Sequence, residues 1–433
     1  MILSRLSWMQ PILVLILFSL FGCADTSDKA GTNTTITVWR HQAAPAEENA
    51  SRAALARFDA THPEWHIKVQ SIPQGAYTES LMAASMAGSL PCVLTVDQPM
   101  IPSFVWAGHL LPLDGLLPQA LTSKMSPIAL GRYDGELYGV GQFDGALAVY
   151  ARRSALDAVG ARIPTLDTPW SKEEFEALLE ALKEDGYAYP LDIGARDLKA
   201  DWWTYAFSPL LQSFGGDLID RTNYQQADGY LNGPDAIAFA KWFHSLFERG
   251  FVNRQEPDER GFQKGRNALS YNGNWWAADY AAAVGEDLII LPPPDLGNGP
   301  VIGGGSWQWA ISATCEHPQE AAALLSFLIS TEEIVAMANA ASMVPVTADA
   351  AAQSDNFSED GDWRVFYDLM SRYAKERPTT PAFTTISNAF FKAMRDIMNS
   401  ADPRDRLDDA VDDIEQVIED NDGYHLGTEV EES

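Results

Sequence analysis

Apolar and polar positions alternate along 36–39 and then recur at helical spacing over 47–60, where Leu55 and Phe58 share a face. Ile67, Val69 and Ile72 mark a second extended stretch, and 76–87 reads as a second helix. The run Pro91-Cys92-Val93-Leu94-Thr95-Val96-Asp97 is a strand of the kind buried on both faces, ending on an acid. A strand-to-strand spacing of about thirty residues is that of a right-handed βαβ unit, so this part of the chain predicts an open parallel sheet. Ligands of such sheets sit beyond the carboxyl ends of the strands, which makes His41, Gln74 and Asp97 candidates for contact. For Asp97 the alternative is a helix cap, and Tyr77 is expected to pack.

Over 302–311 three glycines run into a strand in which Trp307, Trp309 and Ile311 share one face. Pro318 then suits the first turn of a helix whose Ala321, Leu324, Leu325 and Leu328 form one stripe. Trp307, directly after the glycines, suits stacking on an apolar ligand face, with Gly305 bringing backbone close; Trp309 is expected in the core. Further on, 231–250 predicts a helix with His244 at its surface or core edge. The acidic segment 402–422 carries Leu407, Val411, Ile414 and Ile418 at helical spacing, as a solvated helix docked by one stripe. The last ten residues are expected to be loose.

With 433 residues, 46% of them hydrophobic, there is material for two domains, and the formal charge of −30 argues against nucleic acid as a partner. Residues 1–22 read as a signal peptide: Arg5 precedes an apolar run over 12–21 that is too short to span a membrane. Cys92 and Cys315 could pair, but two cysteines in so long a chain predict two buried free thiols. The histidines are scattered, and His62-Pro63-Glu64-Trp65-His66 lacks the order of a zinc helix, so neither metal nor cofactor is expected.

The ending Leu20-Phe21-Gly22-Cys23 resembles a bacterial lipobox, with Phe21 a departure from its usual small residue. That implies a lipidated Cys23, a tether over 23–33 and a chain anchored at the periplasm or cell surface. The order of His62-Pro63, Ala87-Gly88 before Pro91, Ala107-Gly108-His109-Leu110-Leu111-Pro112-Leu113-Asp114 and Asp134-Gly135-Glu136-Leu137-Tyr138-Gly139-Val140 resembles the family 1 extracellular solute-binding proteins. The amphipathic stretch 170–182, Ser213-Phe214-Gly215-Gly216-Asp217, Tyr271-Asn272-Gly273-Asn274-Trp275, the glycine-Trp element and Arg377-Pro378 continue it over nearly the whole chain beyond the leader. Cys92 where the family usually has Asp, and Val149-Tyr150-Ala151-Arg152 for its Tyr-Tyr-Asn-Lys, are departures.

The resemblance implies an α/β chain with the two-lobed periplasmic-binding-protein fold of type II, similar to maltose-binding protein, with three hinge crossings and the ligand cleft between the lobes. Lobe one would be 34–142 plus 268–311, and lobe two 143–267 plus 312–433. It also implies a monomeric carbohydrate-binding subunit of a bacterial ABC importer, delivering a sugar, oligosaccharide or glycoside to the membrane permease.

A sugar asks for aromatic planes and a few forked polar groups. Among thirteen Trp, the resemblance places Trp203, Tyr205, Trp275 and Trp307 near the cleft, ahead of Trp8, Trp65, Trp106, Trp242 and Trp363. It aligns Asp144 with a cleft carboxylate, though Asp144 before Gly145 also suits a turn. Arg377 is a candidate bidentate donor. The alternative is an exported glycoside hydrolase, whose two carboxylates would stand about 5–9 Å apart. No pair is marked, and Gly304-Gly305-Ser306-Trp307-Gln308 lacks the final glycine of a nucleophile elbow.

Overall fold

The computed structural model describes residues 34–424. The leader, Cys23, the tether and 425–433 lie outside the described residues. Two sheets organise the chain. The first is six-stranded, in the order Trp65–Pro73, Thr34–Gln42, Val93–Asp97, Trp307–Ile311, Glu136–Gly141 and Leu130–Tyr133. Its first three strands are parallel as expected, Thr34 facing Trp65 and Val38 facing Val93. Trp307–Ile311 joins antiparallel, with Trp307 opposite Asp97 and Ile311 opposite Val93.

Helices cover both faces of this sheet. Leu55 and Phe58 of the helix Pro45–Thr61 pack with Ile36, Val38, Trp309 and Ile311 on one side. Leu94, Val96 and Ala310 meet Tyr77, Leu81 and Phe104 on the other. Burial on both faces is why the strand Val93–Asp97 is apolar almost throughout.

The second sheet has the order Leu288–Leu291, Leu147–Arg152, Leu269–Gly273 and Leu191–Asp192. The helices Lys172–Glu184, Ala200–Phe214, Pro234–Glu248, Phe383–Met398 and Pro403–Asp420 share its core. Ser171 closes a capping box with Glu174, so the first of these starts at Lys172, and Trp170 is left buried just outside it. Asp402 caps the acidic helix ahead of Pro403, and Leu407, Val411, Ile414 and Ile418 are its buried stripe, as predicted.

The expected lobe boundaries need correction at two places. Leu269–Gly273 and Leu288–Leu291 pair antiparallel with the two edges of Leu147–Arg152, so 268–304 goes with the second sheet. The helices Pro318–Leu328 and Thr331–Ala341 bury Ala321, Leu324, Leu325, Leu328 and Ile334 in the core of the first sheet, which takes 312–346 from the second lobe into the first. In both cases long-range pairing of apolar faces decides membership.

The chain passes between the sheets at 141–147, at 304–307 and again beyond Val344–Pro345. Phe143–Asp144 and Val344–Pro345 pair antiparallel, so two of the crossing segments are joined as a short ribbon. Ile302–Gly304 pairs parallel with Ala374–Glu376, which delivers Arg377 to the junction.

The two described cysteines are not free. Cys92 and Cys315, 223 residues apart in sequence, form a disulfide with Cα atoms 4.4 Å apart, because the antiparallel pairing of Val93 with Ile311 brings their segments together. Replacing both by Ser is expected to lower the unfolding free energy by about 2–5 kcal/mol. Urea denaturation with and without reductant reads this, and a wild-type curve indifferent to reductant would show that the pair is not closed.

Candidate functional site

A cavity of about 560 Å³ opens between the lobes. From the first lobe it is lined by His41, Glu47, Gln74, Asp97, Ser306 and Trp307, with Gly305 at the crossing. From the second come Lys199, Asp201, Trp202, Tyr205, Trp275 and Trp276. Phe143, Gly145, Asp197, Glu259, Asp279 and Arg377 complete most of the remaining wall. Eight of the ten residues expected in the cleft therefore line one cavity: His41, Gln74, Asp97, Tyr205, Trp275, Gly305, Trp307 and Arg377.

Trp307 stands at the start of its strand, with the His41 ring stacked on it at 4.1 Å and Tyr77 edge-on at 5.5 Å. His41 is itself fixed. Its Nδ1 lies 3.3 Å from Thr95 Oγ1 and its Nε2 3.0 Å from Glu47 Oε1. Burial lowers the His41 pKa against the upward pull of Glu47, so the ring is neutral. A carboxylate only accepts, so Nε2 carries the proton and donates it. Arg40, buried behind, pairs with Glu47 and Glu48 at the start of the helix Pro45–Thr61. Tyr77 is core, as expected, donating to the carbonyls of Trp39 and Thr95.

Gly305 has φ +90°, which favours glycine, and a Cβ there would crowd Gln98 Oε1 at 3.1 Å. The Trp275 ring is cradled by two more glycines. A Cβ on Gly273 would overlap it, and one on Gly145 would come within 3.1 Å of it and of the Tyr205 hydroxyl. That hydroxyl donates to the Gly145 carbonyl at 2.9 Å.

Arg377 does not offer its fork to the cavity. Its two Nη atoms donate to the two Asp97 oxygens at 2.8 and 2.6 Å, and Nη1 also donates to Asp201 at 2.6 Å. Its guanidinium lies 5.2 Å from the Tyr205 ring centre. Burial alone would lower its pKa, but the charges of Asp97 and Asp201 outweigh that and hold it above the ordinary value. The expected bidentate donor to a ligand is thus a bidentate donor to the first lobe, and only Nε is left without a partner.

Two expected residues fall outside the cavity. Trp203 is fully buried against Phe207, Phe243 and Phe391, its Nε1 near the Asp197 carbonyl. On the helix Ala200–Phe214, positions 203 and 205 point about 200° apart, so a helix that presents Tyr205 to the cleft must turn Trp203 to the core. Asp201 and Trp202, at i−4 and i−3 from Tyr205, share its side and line the cavity; that spacing was the available signal for both.

Asp144 is missed for the same kind of reason with period two. Phe143 and Gly145 line the cavity, and the side chain between them faces the interior. Trp276, stacked on Tyr280 at 5.7 Å, also lines it and carried no signal beyond its adjacency to Trp275.

Burial pushes the Asp144 carboxyl up to about 7, and Oδ1 has no partner. A carboxyl whose folded pKa is raised stabilises the fold fully below its unfolded pKa and loses that contribution as pH climbs through the folded one. Between about pH 4 and 7 the wild type is therefore expected to lose on the order of 3 kcal/mol that Asp144→Asn does not lose. Urea titrations of both proteins at pH 5 and pH 8 check it, and parallel losses in the two would refute the assignment.

A family model described as bacterial extracellular solute-binding protein matches residues 53–364. An uncharacterized lipoprotein in the oleD 5′ region of Streptomyces antibioticus is 26% identical over 365 residues, covering 78% of this chain and 76% of that one. Among solved structures, the GacH receptor of Streptomyces glaucescens, studied unliganded and with acarbose and an acarbose homolog, superposes with a TM-score of 0.78 at 21% identity, over 90% of this chain and 99% of that one. The maltose/maltodextrin-binding domain MalE of Bdellovibrio bacteriovorus, bound to maltotriose, gives 0.74 at 20% identity, over 89% and 100%. A solute-binding protein from Thermotoga lettingae with α-D-tagatose gives 0.75 at 18% identity, over 89% and 100%. These structural likenesses carry the two-lobed fold, and the family match, which spans well over half of the sequence, carries membership: the chain belongs to the bacterial extracellular solute-binding proteins.

Proposed function

We propose that this chain is the receptor of a bacterial ABC importer, taking an oligosaccharide or glycoside between its lobes and presenting it to the membrane permease, with no reaction catalysed. The observation that carries the reading is the pair of aromatic walls. Trp307 comes from the first lobe and Trp202, Tyr205, Trp275 and Trp276 from the second, around a cavity of about 560 Å³ edged by carboxylates. Ring faces of a sugar stack on such planes while its hydroxyls take the polar groups. The cavity also falls in the range of about 300–1,000 Å³ usual for sites that enclose a small molecule. The oligosaccharides held by structural relatives of the same fold support the same class of ligand.

A ligand touching both walls stabilises the closed arrangement by its contacts in excess of those it makes to one lobe, with the paired segments at 143–144 and 344–345 as the flexing ribbon. Lipidation of Cys23 would keep the receptor beside its permease, and a Cys23→Ser chain is expected in the soluble exported fraction instead of the membrane.

Calorimetric titration of the purified mature chain with maltotriose, cellotriose, trehalose and related glycosides tests the reading. Trp307→Ala and Trp275→Ala are each expected to weaken binding of whichever sugar binds by about 1–3 kcal/mol. Undiminished affinity in both variants would remove the stacking role. Turnover of a chromogenic glycoside without stable binding would replace the receptor by a hydrolase.

A further inference from the structure

Three buried carboxylates of the first lobe stand at or beside the cleft, and their oxygens are used differently. Both oxygens of Asp97 are taken by Arg377. Glu48, which does not line the cavity, has Arg40 on Oε2 and both Arg52 and Ser71 on Oε1. Glu47 does line it, with a side chain only 6% exposed. Both of its side-chain bonds fall on Oε1, 3.0 Å from His41 Nε2 and 3.4 Å from Arg40 Nη2. Its Oε2 takes no bond among the described residues, yet that atom is not walled in by protein. Glu47 is therefore the buried first-lobe carboxylate with an oxygen left to offer. Its position is fixed from behind, and Arg40 and Arg52 balance the charges of Glu47 and Glu48.

The surface around this carboxylate is apolar. Ala43, Ala44 and Pro45 line the cavity just ahead of it in the chain, and Phe143 and Met343 line it at the two crossing segments. Ala50, one turn on from Glu47 along the helix Pro45–Thr61, packs on Phe143 and Met343, so Glu47 faces the hinge end of the cleft. A ligand filling this end displaces the water that reaches Oε2. It must then bring a donor of its own, or it strands a buried carboxylate. A carboxylate only accepts, and the matched charges call for no cation, so the fitting donor is neutral. On a sugar that donor is a hydroxyl. A uronate or phosphate at the same place has no proton to give and adds like charge.

We propose that Glu47 binds the ligand directly, its Oε2 accepting a hydrogen bond from one free hydroxyl of a neutral saccharide whose C–H surface lies against Pro45, Phe143 and Met343. The inference rests on the carbohydrate reading above and deepens it. The hydroxyl is a fixed requirement, because the carboxylate that reads it is held by His41 and Arg40 and cannot turn to another partner.

The test is calorimetry of maltotriose, cellotriose and trehalose, with the complete set of monodeoxy derivatives of each, on the wild type and on Glu47→Gln. For a sugar that binds, one monodeoxy derivative is expected to bind the wild type about 100-fold more weakly than its parent. In Glu47→Gln the parent is expected to weaken about tenfold or more, and the parent-to-derivative ratio to shrink by about as much, because hydroxyl and carboxylate form one contact. A purely structural role through Arg40 and His41 would weaken parent and derivatives alike. Ratios unchanged in the variant for every derivative would thus overturn the inference and leave the carbohydrate reading standing. Should the variant not fold, the crystal structure of the wild type with the tightest of the three sugars decides. A ligand hydroxyl within about 3.2 Å of Glu47 Oε2 is expected there, and its absence would overturn the inference. No binding by any of the three parent sugars would overturn both.

Discussion

The buried cation at Arg377 is what the junction of the two lobes depends on. Its planar fork takes both oxygens of Asp97, the last residue of a first-lobe strand, while its third bond reaches Asp201 on a second-lobe helix. Such a group is tolerated inside only when it is paired, and removing Asp97, which takes both of its Nη atoms, would strand a buried charge at a cost of several kcal/mol. Neighbouring contacts run along the same strip, from Gln98 to Glu376 and from Ser103 to the Pro381 carbonyl at 3.1 Å. The floor of the cleft is therefore polar and shared by both lobes, whereas its walls are aromatic and belong to one lobe each.

Those walls differ in how they are held. The first-lobe wall is built from strand ends locked by a dense network: Trp307 on His41, His41 between Thr95 and Glu47, and Arg40 behind them. The second-lobe wall is assembled from one helix face, a short turn after Gly273 and loops that carry exposed acids. Rigidity on one side and adaptable chemistry on the other suit a receptor in which one wall orients a ring and the other chooses its substituents.

Much of this was legible in the sequence where the determining interactions are local. The period of 47–60, the apolar run ending at Asp97 and the stripe of Leu407, Val411, Ile414 and Ile418 correspond to the elements observed, because face burial leaves its period in the chain. Lobe membership was not legible, since the pairing of Leu269–Gly273 with Leu147–Arg152 joins segments more than a hundred residues apart, and either sheet could have accepted an apolar strand. The same holds for Cys92 and Cys315. Within the site, the resemblance points to Trp203, whereas the helical angle to Tyr205 favours Trp202. Arg377 lines the cavity, but its hold on Asp97 and Asp201 was not legible, because those carboxylates come from distant segments.

The disulfide closes the far end of the ladder whose near end is the cleft. Between Val93 opposite Ile311 and Asp97 opposite Trp307 there is no bulge in the pairing, so fixing one end fixes the phase of the other. A slip of one residue would invert every side chain along the strand, carrying Trp307 off His41 and Asp97 out of reach of Arg377. The cross-link is thus a gauge for the site, set about 17 Å away. A chain that lacked it could keep its fold and still hold its ring platform and its interlobe anchor out of step.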